Sequence, residues 1–313
     1  MTRPRVIAVV GATATGKTAL AESLARAIGA EVVCADSRQV YAELEIGTGR
    51  PTPVEREARP HHLFASLHLG QHASAGWYAR AAGEVCDAIR ARGRSAVLVG
   101  GSGLYLRALR DGLTATPPQD PALRERLRAE LEAVGPEASH ARLAAVDPAS
   151  AARLAPRDRQ RVSRALEVFE ATGRPLSWWH ARTLPAAPKD WAVIEPTLAP
   201  EELRARIARR TAWMFENGLI EETRALLAGG HGQALRGLRA IGYEEAADLE
   251  SGRIGRAEAE LRVNQRTAQL AKRQRTWFRH QIEALRLDAS GVAADELARL
   301  ALDRLRAAGR PCV

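Results

Sequence analysis

The chain has 313 residues, 46% of them hydrophobic, with 46 lysines and arginines against 37 acids and a net charge of +9. That length and apolar content suit one large domain or two smaller ones and exclude bulk disorder. No apolar run approaches the roughly 18 residues that span a bilayer, so no membrane segment is expected, and the surplus of positive charge suits a polyanionic partner.

In chain order, residues 6–10 form a continuous apolar run closed by Gly11, which predicts a strand buried on both faces of a parallel sheet. Residues 19–28 repeat apolar side chains at helical spacing and stop at Gly29. A second strand is predicted over 31–35, ending at Asp36, and a third over 62–67. Residues 76–92 are predicted helical, and 95–99 form a fourth strand closed by Gly100 and Gly101. Strands alternating with helices in this order imply parallel crossovers. The texture changes after Leu113. Pro117 and Pro118 mark a joint within 116–120, only helical signal follows from 121 to about 182, and 185–189 is a second Pro-bearing joint. Residues 191–197 resemble another strand, and helices dominate from Pro200 to the end.

The expected architecture is therefore α/β: a P-loop-type parallel sheet core flanked by helices, with a helical insertion domain. Residues 1–116 would form the first part of the core, 117–189 the insertion, and 190–313 the mostly helical return. Residues 1–10 lead straight into a strand-like run without signal-peptide anatomy. Cys34, Cys86 and Cys312 are far apart and lack metal-ligand spacing. Neither a disulfide scaffold nor a zinc site is expected, and a cytoplasmic monomer is the default expectation.

Gly11, Ala12, Thr13, Ala14, Thr15, Gly16, Lys17 and Thr18 spell the Walker A pattern in its proper place, after a buried strand and before a helix. The glycines let several backbone N–H groups converge on one anion, and the helix adds its positive N-terminal end. Lys17 supplies a point charge to phosphates, and Thr18 places a hydroxyl where Mg2+ would sit. The pattern does not distinguish ATP from another diphosphate. Asp36, at the carboxyl end of the second strand, faces the ligand crevice of such a sheet. It can serve Mg2+ or act as a general base, or simply cap the next helix. Ser102, at the same edge, can bind an anion or orient a nucleophile, or belong to an ordinary turn.

Two segments concentrate positive charge. Arg153, Arg157, Arg159, Arg161 and Arg164 crowd together around one acid, Asp158. Between Arg262 and Arg279 lie six cations and no acid, with Trp277 and Phe278 interleaved. Such segments suit looped RNA, although each can also be a solvated helix face with Trp277 in the core. Arg206 and Arg210, four apart, share a helix face. One can clamp the phosphates, or pair with Glu201 or Glu202.

Seven blocks then occur in order: G-A-T-A-T-G-K-T, D-S-R-Q-V-Y, I-G-T-G-R-P, G-G-S-G-L-Y, Q-R-V-S-R-A-L-E-V, A-I-G-Y and Q-L-A-K-R-Q-R-T-W. With them the chain resembles the bacterial tRNA dimethylallyltransferases over about residues 5 to 280. The resemblance implies transfer of the dimethylallyl group of dimethylallyl diphosphate to N6 of the adenosine 3′ of the anticodon, with Mg2+ as cofactor. It implies Asp36 as base, Lys17 and Arg210 on the diphosphate, and Ser102 beside the bridging oxygen or the target base. Contacts with the tRNA anticodon stem-loop would fall on Asp36, Ser37, Arg38, Gln39, Ser102, Arg124, Gln160, Arg161, Val162, Ser163, Arg164, Arg239, Ala240, Ile241, Gly242, Tyr243 and Glu244. Some positions depart from the family pattern. G-G-S stands for the usual G-G-T, Arg50 replaces a common Lys, and H-H-L-F-A-S lacks an Asp, so that segment gets no catalytic role. The competing readings are a P-loop small-molecule kinase, an adenylate isopentenyltransferase, and an RNA-binding ATPase without catalysis on RNA.

Overall fold

The Val- and Ile-rich runs of the first hundred residues pair into one parallel sheet, seen in a computed structural model that describes residues 6–113, 116, 120–182 and 191–309. In chain order the elements begin β1 (Val6–Val9), α1 (Lys17–Ile28), β2 (Glu31–Cys34), α2 (Pro53–Glu57), β3 (His61–His62), α3 (Ala75–Ala91), β4 (Ala96–Val99) and α4 (Gly103–Asp111). Four helices follow: α5 (Pro121–Val146), α6 (Pro148–Ala151), α7 (Arg159–Thr172) and α8 (Leu176–Arg182). The chain continues with β5 (Trp191–Thr197), α9 (Pro200–Glu216), α10 (Leu219–Ala228), α11 (Gly232–Leu238), α12 (Tyr243–Glu250), α13 (Arg256–Gln281), β6 (Leu285–Asp288) and α14 (Ala294–Ala307). Two compact units result, Met1–Arg110 with Lys189–Val313, and Asp111–Pro188.

The strand order is β3-β2-β4-β1-β5-β6, parallel throughout. Side chains alternate between two cores, as a pleated sheet buried on both faces requires. Ile7, Val9, Val32, Cys34, Val97, Val99 and Ile194 enter one core. Ala8, Val10, Val33, Leu98 and Val193 enter the other, with Tyr78 and Phe278. Each fully buried Val, Leu or Ile among them contributes about 1.5–3 kcal/mol. The helix α14 lays Leu297, Ala301, Leu302 and Leu305 into the same core as Leu20 and Leu24 of α1. Asp295 at its start accepts from Ser23 at 2.5 Å and pairs with Arg26. The last helix thus backs the helix that leaves the glycine turn.

The second unit packs α5 against α7 around Leu143, Ala151, Val162, Ala165 and Leu166. Asp147 accepts from the N–H groups of Ser150 and Ser177, both at 3.0 Å, and so fixes the starts of α6 and α8. The expected joints at 117–119 and 185–189, and Cys312, lie outside the described residues.

Two expectations are corrected, and one strand is added. The strand predicted over 62–67 is only His61–His62. Leu63 and Ala65 take left-handed conformations (φ 61° and 51°), and the chain folds over residues 39–41, with Ala65 N donating to Gln39 O and Leu67 N to Val40 O. Within the mostly helical return segment, β6 is an added strand that pairs with β5 and extends the sheet. Phe278 is no RNA-facing aromatic: it is fully buried, and Trp277 packs against Gly103.

Candidate active site

Gly11, Ala14 and Gly16 hold positive φ values of 124°, 65° and 85°, which curl residues 11–18 between β1 and α1. Inside the curl, Lys17 Nζ and Thr15 Oγ1 both donate to Ala12 O. Burial pulls the Lys17 ammonium down to about 8; Asp36 opposes that, Arg210 adds to it, and Glu195 opposes it again. The Thr18 hydroxyl lines the cavity above and has no hydrogen-bond partner among the described residues.

At the end of β2, Asp36 Oδ1 accepts from Arg38 N–H at 2.9 Å, an Asx turn that orients the carboxylate. Its second oxygen has no hydrogen bond among the described residues. Ser102, after β4, accepts from Ser37 N–H at 2.8 Å, so its own proton is free to donate elsewhere. The glycines around it permit a close approach. A Cβ on Gly100 would lie 2.1 Å from Ala35 O, and one on Gly103 would lie 2.2 Å from the Trp277 ring.

From α9, Arg210 reaches back to the glycine turn, donating to Thr13 Oγ1 at 3.1 Å and to Thr48 O at 2.8 Å. Gly49 leaves room for its guanidinium, 2.6 Å from where a Cβ would stand. Burial lowers the Arg210 pKa and Asp36 raises it again; a guanidinium stays charged regardless. Of the two arginines that share the helix face, Arg206 instead pairs with Glu202 at 2.7 Å.

These groups surround one cavity of about 850 Å3. Thr13, Ala14, Gly16, Lys17 and Thr18 line it, with Asp36, Ser37, Arg38, Gln39, Ser102 and Arg210. Arg239, Ala240, Ile241 and Tyr243 join them from the turn before α12. Arg38 donates to Leu238 O and Gln39 to Thr48 O and Gly49 O, so both tie neighbouring loops together. Tyr243 is buried with its ring against Gly47, and its hydroxyl donates to Glu222, which also accepts from the Glu45 and Ile46 N–H groups. Gly242, at φ 102°, starts α12 without lining the cavity, and Glu244 pairs with Arg266 at a smaller neighbouring hollow.

The remaining sequence-derived residues lie in the second unit. Arg124, Gln160 and Arg161 are exposed there, Ser163 and Arg164 are half-buried, and Val162 belongs to the core. Arg161 pairs with Asp158 and Arg164 with Glu167. On α13, Arg262 and Arg266 are likewise ion-paired, whereas Lys272, Arg273, Arg275 and Arg279 are exposed.

Sequence reasoning missed Gln274. Its Oε1 accepts from Thr13 N–H at 2.8 Å and its Nε2 donates to Gly101 O at 3.1 Å, so α13 fastens the glycine turn to the loop that bears Ser102. The residue sits inside a block read for its cations and aromatics, and an amide among them gave no separate signal. Glu195 was also passed over. It lies under Gly11 in β5, whose first six residues are buried. A carboxylate in such a strand needs a partner, and that requirement was the available signal.

A sequence model described as IPP transferase matches residues 39–281. A tRNA dimethylallyltransferase of Rhodopseudomonas palustris is 44% identical over 300 residues, covering 95% of both chains. One from Geobacter metallireducens is 41% identical over 290 residues, covering 92% of this chain and 94% of the relative. Among solved structures, the full-length tRNA isopentenylpyrophosphate transferase of Bacillus halodurans aligns with a TM-score of 0.70 at 32% identity, covering 98% of this chain and 96% of that one. A eukaryotic dimethylallyltransferase acting on tRNA aligns with a TM-score of 0.83 at 25% identity, covering 98% and 80%.

Proposed function

The chain belongs to the IPP transferase family, and from that premise we propose that it is a prenyltransferase moving the dimethylallyl group of dimethylallyl diphosphate to N6 of the adenosine immediately 3′ of the tRNA anticodon. The observation that carries this reading is the meeting of Lys17, Asp36, Ser102 and Arg210 on one cavity whose wall also includes Ile207, Met214, Val263 and Leu270. Cations and backbone amides suit a diphosphate, and the apolar side chains suit a short branched hydrocarbon.

In the reaction N6 attacks C1 of the dimethylallyl group. The N6–C1 bond forms, the C1–O bond breaks, and its electron pair leaves with diphosphate. Negative charge grows on the leaving oxygens, where Lys17, Arg210 and the amides of the glycine turn are aimed. Ser102, whose hydroxyl proton is not committed to Ser37, donates toward the bridging oxygen. The proton shed by N6 goes to Asp36, through the oxygen that the Asx turn leaves open. The adenine must leave its stack to reach C1, and Arg38 and Arg239 on the cavity wall suit the RNA backbone that carries the flipped base.

Thr18 fits a role in holding Mg2+ together with diphosphate oxygens: its hydroxyl is a hard oxygen donor on the cavity wall. When bound, the ion supplies charge neutralisation to the diphosphate. We assign the second unit, through Arg124 and residues 160–164, to the anticodon stem.

The test measures diphosphate release from dimethylallyl diphosphate with an anticodon stem-loop or free AMP as acceptor, and with ATP as an alternative donor. Release that depends on the stem-loop supports the reading. Release with AMP alone would make the enzyme an adenylate isopentenyltransferase, and phosphoryl transfer from ATP would make it a kinase.

A further inference from the structure

Glu195 is an acid inside a strand that is otherwise packed into the sheet, and it is only 3% exposed. Its register partner on β6 is Arg286, whose Nε donates to Glu195 Oε2 at 3.0 Å. On its other side lies the glycine turn. A Cβ on Gly11 would meet Glu195 Cγ at 3.1 Å and Oε1 at 3.7 Å, so only a hydrogen atom stands between this acid and the first residue of the cradle. Two cations act on the carboxylate, Arg286 from β6 and Lys17 from α1.

A negative charge beneath an anion site opposes the anion, and the opposition depends on how well the charge is neutralised. We propose that Glu195 is a fixed negative group under the diphosphate cradle whose repulsion of bound diphosphate is set by Arg286, making Arg286 a positioning residue and β6 a regulator of the cradle's grip. The inference rests on the diphosphate reading given above. It adds that the grip on both substrate and product is held below what Lys17, Arg210 and the amides alone would give. On balance burial raises the Glu195 pKa, and Arg286 and Lys17 offset that rise only in part, so it is the ion pair with Arg286 that favours the charged form. Arg286 is half-exposed, so its effect is screened and moderate.

The test is equilibrium binding of inorganic pyrophosphate with Mg2+ to the full chain, with thermal melts to confirm folding. Arg286→Gln should weaken binding about three- to tenfold, the range for loss of one screened neighbouring charge. Glu195→Gln should bind at least as tightly as wild type, and the double variant should return close to wild type. Arg286→Lys keeps the charge and should bind like wild type, which carries the test if Glu195→Gln does not fold. Arg286→Gln binding as wild type overturns the inference, as does Glu195→Gln weakening binding as much as Arg286→Gln, because that pattern means support rather than repulsion. Wild-type protein that binds no pyrophosphate is a different failure, and it removes the diphosphate reading itself.

Discussion

Arg210 donates to Thr13 Oγ1 at 3.1 Å, joining the glycine turn to a helix 197 residues further along the chain. The bond places a guanidinium where the leaving diphosphate needs positive charge, and Gly49 and Thr48 O fix its plane. Replacing Arg210 by Gln should lower kcat/KM for dimethylallyl diphosphate by about 10²–10³, the usual cost of one preorganised donor to developing charge. Arg210→Lys should recover only part of that, because an ammonium cannot hold both bonds in a fork. Initial rates with labelled donor measure both.

Asp36 offers a cleaner separation of chemistry from binding. Asn at this position can still accept from Arg38 N–H, so the Asx turn should survive while the base is lost. Turnover should fall by about 10²–10⁴, the range for removing a general base. Affinity for the anticodon stem-loop, measured by filter retention, should stay within a few-fold of wild type. Unchanged turnover would take the proton-accepting role away from Asp36.

Gln274 and Gly101 should behave as one unit. A Cβ on Gly101 would lie 2.1 Å from Gln274 Nε2, so Gly101→Ala must push the amide away from Thr13. Gly101→Ala and Gln274→Ala should therefore raise KM for the prenyl diphosphate by similar factors, and the double variant should be no worse than either alone. Additive losses in a kinetic cycle would show that the two residues act separately.

The second unit carries its own pH-dependent tie. Burial alone would raise the Asp147 pKa, but hydrogen bonds from Ser150 and Ser177 outweigh it and hold the carboxyl below its usual value. A native-state pKa below the unfolded one means stability that is present above about pH 4 and is lost as pH falls through the native value. Asp147→Ala should destabilise the unit by about 1–3 kcal/mol at neutral pH through the orphaned N–H groups. The gap from wild type should close in strongly acidic buffer, as read by melting curves across the pH range.

Much of this was legible in the chain. Four strands and the glycine turn announce themselves because doubly buried strands are long apolar runs and the turn demands glycine. The strand β6 was not legible: L-R-L-D is four residues long at a sheet edge, and two of the four are charged. The segment 62–67 misled because its apolar side chains do enter the core, but from left-handed turns that no alternation pattern encodes. Within the site, Lys17, Asp36 and Ser102 could be named from their blocks, whereas Arg210 lies in none of them and is told from Arg206 only by the family resemblance. The ties made by Gln274, Glu222 and Glu195 could not, since each depends on a partner that only tertiary structure brings near.

The central claim is tested most directly by incubating the protein with dimethylallyl diphosphate and an anticodon stem-loop, digesting the RNA and mapping nucleoside masses along the loop. The account predicts one dimethylallyl group, carried on the adenosine next to the anticodon's 3′ side, and none when that base is guanosine. A stem-loop recovered unmodified, or modified elsewhere in the loop at equal yield, would contradict it.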